Sequence, residues 1–532
     1  MFKNKKLSLW HSFIFFIATI FLIPIFIIGS SLFLGFSENF YHLYDNLLFE
    51  YSFNSLCLVI GVSFIVTIIG VTTAWLVTFF NFSGKKVFQW ALILPLAVPP
   101  YLLAYVFTEF FDYSGTANNF MRGLLSSETD IIFFPNIRTI YGAIAVFSFT
   151  LYPYVYMVAR VAFMNISPSL IEASKLLGRN SISTFFNLLI PLIRPAIIAG
   201  IALVAMETLS DFGAVQHFAI PTFTTGIFRT WTGLYDLNTA LQLSTILLTV
   251  VFCFFAIEKN SRKKIRYDNS TTLKNLYNPI ELKKFHNVAA FLICLIPVFV
   301  GFFLPVLELI NWSSQIGNIF SSKTIVAASN TLYVSMIATV LICLITLITN
   351  FIVRSFGMSQ LINDILSLGY AVPGLILAVG ITRMFTSLDS LLINFDTFIT
   401  GSILGLVLAY IIKTYAISNN VLNSAYASIP LSVDESAKTL GTGRLSILRS
   451  IHMPMLKTGL FTSFLLVMAE LIKELPATLI LRPFNFDTLA VSVYLLASEE
   501  RMFEAAFPGL MIIIFGLIPI YFLNKLILSK NG

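Results

Sequence analysis

The sequence predicts an all-α, polytopic membrane protein of about 12 transmembrane helices, arranged as two parallel six-helix repeats. Three observations carry that prediction: an apolar composition, long uncharged runs, and self-similarity at a fixed offset. Of the 532 residues, 57% are hydrophobic and 11% charged, and the mean hydropathy is +0.87. A soluble domain carries about 25% charged residues, and even a large core needs a polar surface around it. The runs 13–34, 55–80, 241–257, 288–310 and 508–528 hold few or no charges, and most are long enough to cross a hydrocarbon layer of roughly 30 Å. They are continuous rather than alternating, which argues against a β-barrel.

Taken in chain order, the runs place helices near 12–34, 53–80, 87–108, 139–159, 195–215, 239–258, 287–310, 328–353, 361–383, 399–419, 458–480 and 504–527. The first follows Lys3, Lys5 and Lys6, as a signal peptide would. Its length and the lack of a small-residue cleavage site make it a first membrane span. The four cysteines, Cys57, Cys253, Cys294 and Cys343, lie inside apolar runs with no CxxC pair, so they read as small apolar side chains.

The formal charge of +7 is explained by loop asymmetry, not by nucleic acid. With the N-terminus inside, the stretches 1–11, 81–86, 160–194, 259–286, 354–360, 413–457 and 525–532 hold 25 of the 33 Lys and Arg residues. Both termini are therefore expected on the cytoplasmic side of the membrane, with lipid around every span. The richest stretch, 259–286, holds Arg262, Lys263, Lys264, Arg266, Lys283 and Lys284. It reads as a basic cytoplasmic linker between a first half, 1–258, and a second half, 287–532.

A shift of 263 residues superposes Ser169 on Ser432, Glu172 on Glu435, Lys175 on Lys438, Gly178 on Gly441, Pro191 on Pro454, Glu207 on Glu470 and Asp211 on Glu474. Upstream, Ala97-Val98-Pro99 matches Ala371-Val372-Pro373. The halves therefore share one orientation, as a parallel repeat does, and two such halves enclose a pathway between them.

The repeat is densest in the loops 160–194 and 420–457. Ser169 with Glu172, and Ser432 with Glu435, have capping-box spacing. Pro168 and Pro430 stop any helix arriving from upstream. Gly178 and Gly441 suit the left-handed residue that ends a helix. The helix between is about two turns, too short to be stable alone in water, so it is expected to pack on something. Small residues, Ala173 and Ser174 in one copy and Ser436 and Ala437 in the other, allow close approach. An amphipathic segment follows each glycine and is expected to stop at Pro191 and Pro454. A single copy would read equally well as an ordinary loop helix lying on the membrane; two copies on one side read as a pair of docking elements.

Glu172-Ala-Ser-Lys-Leu-Leu-Gly178 followed by Pro191 resembles the EAA loop of binding-protein-dependent ABC importers, and Glu435-Ser-Ala-Lys-Thr-Leu-Gly441 with Pro454 resembles a second, slightly degraded copy. The resemblance implies a type I ABC importer permease that works with two cytoplasmic ABC ATPase subunits and a periplasmic binding protein. It places Glu172, Ala173, Ser174, Gly178, Glu435, Ser436, Ala437 and Gly441 at the ATPase-coupling surface. Ser436 stands where the family favours alanine, which implies unequal docking. The chain has no GxxxxGK[ST] phosphate loop, no HExxH and no nucleophile elbow. It is therefore expected not to be an enzyme and to bind no cofactor, with ATP used by partner subunits.

Segments 206–214, 220–231, 470–478 and 481–490 resemble the fused, two-half ferric-iron permeases of that superfamily. A periplasmic ferric-iron-binding protein is the partner this implies, although thiamine permeases share the layout. Glu207, Asp211, Glu470 and Glu474 fit such a substrate. Acidic residues at membrane depth face a cavity or a partner, and a hard cation prefers oxygen ligands. The competing reading makes them structural pairs, for example Glu474 with Lys473 or Arg482. His217 and Tyr235 are isolated, and no metal ligand is assigned. Pro99, Pro100 and Pro373 either break helices along the path or merely kink them. An ion-driven secondary transporter is a further alternative, but it needs no doubled docking helix.

Overall fold

A computed structural model describes residues 9–125, 133–264, 279–316, 321–392 and 398–529. Lys3, Lys5, Lys6, Arg266 and most of the basic linker lie outside these residues. Among the described residues, eleven helices are long and apolar enough to cross a membrane, and a pair of helices bent by 88° makes a twelfth when counted as one broken span. The first half runs through spans one (Leu9–Ser30), two (Leu48–Phe79), three (the bent pair Lys85–Ala97 and Pro100–Leu124), four (Ile140–Met164), five (Ser181–Ser210) and six (Leu237–Lys264). The second half runs through spans seven (Lys284–Ser314), eight (Ser322–Phe356), nine (Gly374–Leu392), ten (Ile403–Ala427), eleven (Arg444–Ile472) and twelve (Met502–Ser529).

The repeat seen in residue types is also a repeat of structure. Span four (Ile140–Met164) and span ten (Ile403–Ala427) begin and end 263 residues apart. The short helices after them, Pro168–Leu176 and Leu431–Thr439, keep the same offset.

Both spans entered from these loops differ from expectation, because neither segment stops at its proline. Span five runs through Pro191 and span eleven through Pro454. The reason is a π-turn placed just ahead of each. Over Phe185–Leu189 the N–H of Ile190 bonds to the carbonyl of Phe185, and over Leu448–His452 the N–H of Met453 bonds to that of Leu448. Proline lacks a donor and its ring crowds the carbonyl four residues back; an i→i+5 turn widens the helix there and removes the conflict. The same device precedes Pro305 in span seven, over Phe299–Phe303.

The prolines of span three act differently. A 3-10 turn, Leu94–Ala97, leads into extended residues Val98 and Pro99, and a new helix starts at Pro100. Span nine has the same design: helix Leu361–Leu366, a 3-10 turn Ser367–Ala371, extended Val372, then a fresh helix from Gly374. These are broken helices, not kinks.

The two halves exchange their first spans. Span one packs on span six of its own half, but otherwise on spans eight and nine of the second half. Span seven packs on span twelve, but otherwise on spans two, three and four of the first half. Glycines allow the closest approaches: a Cβ on Gly380 would meet Ile28 and the carbonyl of Pro24, and one on Gly301 the carbonyl of Phe149. Small residues at helix crossings are the usual device inside a membrane, where apolar lipid supplies no hydrophobic drive between helices. One apolar core accordingly joins first-half residues such as Val155 and Ala97 to Cys294, Phe302 and Ile512, while a second joins Phe21 and Leu247 to Ile376 and Tyr415. A two-residue parallel pairing of Phe80–Asn81 with Ile280–Glu281 ties the end of the linker to the first half just before span seven.

Candidate functional site: two surface helices and a charged cavity

The helices Pro168–Leu176 and Leu431–Thr439 each have nine residues. The capping boxes expected at Ser169 and Ser432 do not form. Pro168 and Leu431 take the first helical position, so each serine already lies inside the helix. Proline is well suited to that position, since the donor it lacks is unpaired there anyway. Ser169 instead meets Ser167 at 2.6 Å, and Pro430 at the second N-cap supplies no side-chain bond.

The C-terminal prediction holds. Gly178 and Gly441 have φ of +75° and +77°. Around the second, the N–H of Thr442 bonds to the Ala437 carbonyl and that of Gly441 to the Lys438 carbonyl, both at 3.0 Å. Around the first, the N–H of Arg179 bonds to the Ser174 carbonyl at 3.2 Å. This is the Schellman pattern. Glu172, Ala173, Glu435, Ser436 and both glycines are exposed, whereas Ser174 and Ala437 face inward. Leu177 and Leu440, one residue before each glycine, are 78% and 84% exposed, so each loop presents an apolar tip beside an acidic face.

The two helices are anchored differently. In the first, Ile171 is buried and belongs to the core that also holds Phe185 and Leu189, and Ser174 hydrogen-bonds Thr184 at 2.8 Å. In the second, Asp434 takes the place of Ile171. It pairs with Arg354 at 2.7 Å and with His452 at 2.9 Å. Arg354, at the end of span eight, also donates to the carbonyls of Tyr426 and Ile429 at 2.9 Å and of Pro430 at 3.2 Å. Burial alone would raise the Asp434 carboxyl, but the bonds from Arg354 and His452 outweigh it and hold the group below the ordinary aspartate value. Their pairing was not read from the sequence; the cue was an aspartate where the first copy has isoleucine.

The four acidic residues singled out in the sequence line one cavity of about 90 Å³ between the halves. Its wall includes the helix break Val98-Pro99-Pro100, Tyr101 and Tyr154, the ends of spans five and eleven, and Lys413 of span ten. A smaller recess, which also reaches Tyr370, shares Glu207, Lys413 and Glu470 with it. The acidic groups are not equivalent. Asp211 Oδ1 accepts from the N–H of Ala214 at 2.9 Å and of Val215 at 3.3 Å, which caps the short helix Gly213–His217. Glu474 accepts from the N–H groups of Ala477 and Thr478 at 3.1 and 3.0 Å, capping Pro476–Leu481 in the same way. A carboxylate is favoured at a helix N-terminus. Glu207 accepts from Tyr370 at 3.4 Å and, among the described residues, pairs with no cation.

The ion pairs correct the pairings considered in the sequence. Glu474 pairs with Lys413 at 3.2 Å, Lys473 pairs with Glu470 at 3.0 Å, and Arg482 pairs with Asp487. The sequence places Lys413 at the start of the cytoplasmic stretch 413–457. Span ten starts at Ile403 and continues to Ala427, so Lys413 lies well inside it. His217 is occupied by Thr108 at 2.9 Å and by the Tyr105 ring, and Tyr235 is 88% exposed. Among the described residues, no three His, Cys, Asp or Glu side chains are grouped so as to hold a metal ion.

Two six-span halves, broken helices and a charged cavity between them define the membrane component of a solute transporter. The chain belongs to the family of binding-protein-dependent transport system inner membrane components, whose family model matches residues 66–266 and 358–530. It is 24% identical over 482 residues to an Fe(3+)-transport system permease protein, FbpB 2, of Haemophilus influenzae, with 89% of each chain covered. It is also 24% identical to the ferric transport system permease protein FbpB of Actinobacillus pleuropneumoniae, over 77% of this chain and 61% of that protein's length. A sulfate transport system permease protein, CysT, of Salmonella typhimurium is 26% identical over 155 residues, 29% of this chain.

Proposed function

We propose that the chain is the permease of an ATP-driven importer that moves ferric iron inward across the bacterial inner membrane. The observation that carries this reading is the likeness to a ferric permease across both halves, joined to a cavity lined by four carboxylates. The partners are two ABC ATPase subunits and a periplasmic ferric-iron-binding protein. Each ATPase seats one surface helix, receiving Leu177 or Leu440 beside Glu172 or Glu435. Closure of the ATPases draws the two helices together. Because each helix leads through a π-turn into span five or eleven, that motion reaches Glu207 and Glu470 directly along those spans. The cavity opens outward to accept iron, then inward to release it.

The sulfate permeases favour an oxyanion only weakly: they match a single stretch, and four carboxylates repel an anion. Thiamine or another small cationic solute is the remaining alternative. The test is reconstitution of the permease with its ATPases and binding protein in proteoliposomes. ATP-dependent uptake of radioactive ferric iron that excess thiamine does not reduce is the expected outcome. ATP-independent uptake, or uptake of thiamine instead, would refute the reading.

A further inference from the structure

The cavity wall is asymmetric in charge. At the 263-residue offset, Glu207 corresponds to Glu470 and Asp211 to Glu474, but Thr150 corresponds to Lys413 and Ser210 to Lys473. The second half thus contributes two carboxylates, each carrying an ammonium group of its own: Glu474 with Lys413 at 3.2 Å and Glu470 with Lys473 at 3.0 Å. The first half contributes Asp211, occupied by two helix amides, and Glu207, which among the described residues has no cation. All six side chains line the one cavity.

We propose that Lys413 and Lys473 are tethered counter-ions that offset the two second-half carboxylates at rest and are exchanged for the transported cation. This deepens the ferric-import reading and rests on it. Glu207, which among the described residues pairs with no ammonium, receives the ion inside the cavity. The ion then competes with Lys473 for Glu470 and with Lys413 for Glu474. At equal separation a trivalent ion attracts a carboxylate three times as strongly as an ammonium does, so it displaces the lysines. A monovalent ion brings the same charge as the ammonium it must replace, and that ammonium is held in place covalently. Lysine suits this work: it is a compact charge on a flexible four-carbon stem and can swing aside. The device discriminates by charge without a preformed metal cage.

The complete transporter, purified with its ATPases and binding protein, is titrated with Ga³⁺ as a redox-inert trivalent probe, and ferric uptake is measured in proteoliposomes. Lys473→Met is expected to bind Ga³⁺ about tenfold more tightly and to slow uptake about tenfold, because the bare Glu470–Glu207 pair retains the ion. In Lys473→Met/Glu470→Gln, where the wall regains its resting balance of charge, uptake is expected to recover at least in part. Unchanged Ga³⁺ affinity in the well-expressed single variant overturns the proposal, as does a double variant no better than the single one, the mark of a merely structural pair. A wild-type complex that takes up no iron overturns the import reading itself, whereas wild-type uptake with indifferent lysine variants overturns only the exchange.

Discussion

Replacing Gly178 and Gly441 together by valine tests the coupling role of the surface helices most directly. A Cβ built on either glycine meets nothing within 4 Å, so the new side chain causes no clash. The whole cost is backbone: φ is +75° and +77°, a region that costs an L-residue roughly 1–2 kcal/mol and a β-branched one more. Relief of that strain opens the Schellman bonds, each contributing about 1 kcal/mol net. A shift on the order of 2 kcal/mol changes the loop's closed-to-open ratio up to roughly thirtyfold. The assay is iron taken up per ATP hydrolysed in proteoliposomes. The valine pair is expected to keep hydrolysis and lose most of the uptake. The asparagine pair, which tolerates a left-handed conformation, is expected to stay near wild type. Valine and asparagine pairs that behave alike would refute the reasoning, because sterics are equal in both and only backbone strain differs.

Glu207→Gln is expected to reduce iron uptake more than Asp211→Asn at matched expression, since the Asp211 oxygen is spent on helix amides and an amide oxygen replaces it there. Arg354→Lys loses the guanidinium fork that reaches three carbonyls and Asp434, at a cost of about 1–3 kcal/mol. Hydrogen exchange should accelerate across 431–443 and stay unchanged across 168–179. The depressed Asp434 carboxyl sets the sign of the pH response. Its anchoring contribution is complete above the ordinary aspartate value of about 3.9 and fades as pH falls further, through the lower folded-state value. Exchange in the second loop should therefore rise below about pH 4, and the Asp434→Asn variant should lack that rise.

The spans and the repeat could be read in the sequence because each rests on a one-dimensional signal. An apolar run announces a span whatever it packs against, and Gly178 and Gly441 sit at left-handed positions that few other residues accept. The capping boxes could not be read correctly, because Ser-x-x-Glu spacing does not reveal that Pro168 or Leu431 has already begun the helix. Nor could continuation through Pro191 and Pro454, since a π-turn leaves no residue signature of its own. The four carboxylates were found by their apolar surroundings. Lys413 was missed for the opposite reason: one lysine in an apolar run looks like a helix end, and only the packing of span ten shows it facing Glu474. The Arg354–Asp434–His452 cluster joins residues 98 positions apart in the chain, a separation no local pattern encodes.

The exchanged first spans bear on how this chain is made. Residues of span seven, Ala290, Cys294, Phe302 and Trp312 among them, are built into the core around spans two to four. As the chain emerges in order, that core waits, incomplete, until the synthesis of the second half is under way. Span one waits longer for its seat on span nine. The fused chain is therefore more than two permeases joined for convenience: each half supplies the piece that lets the other finish folding, and a polypeptide interrupted between residues 265 and 278 would leave two fragments, each missing a wall.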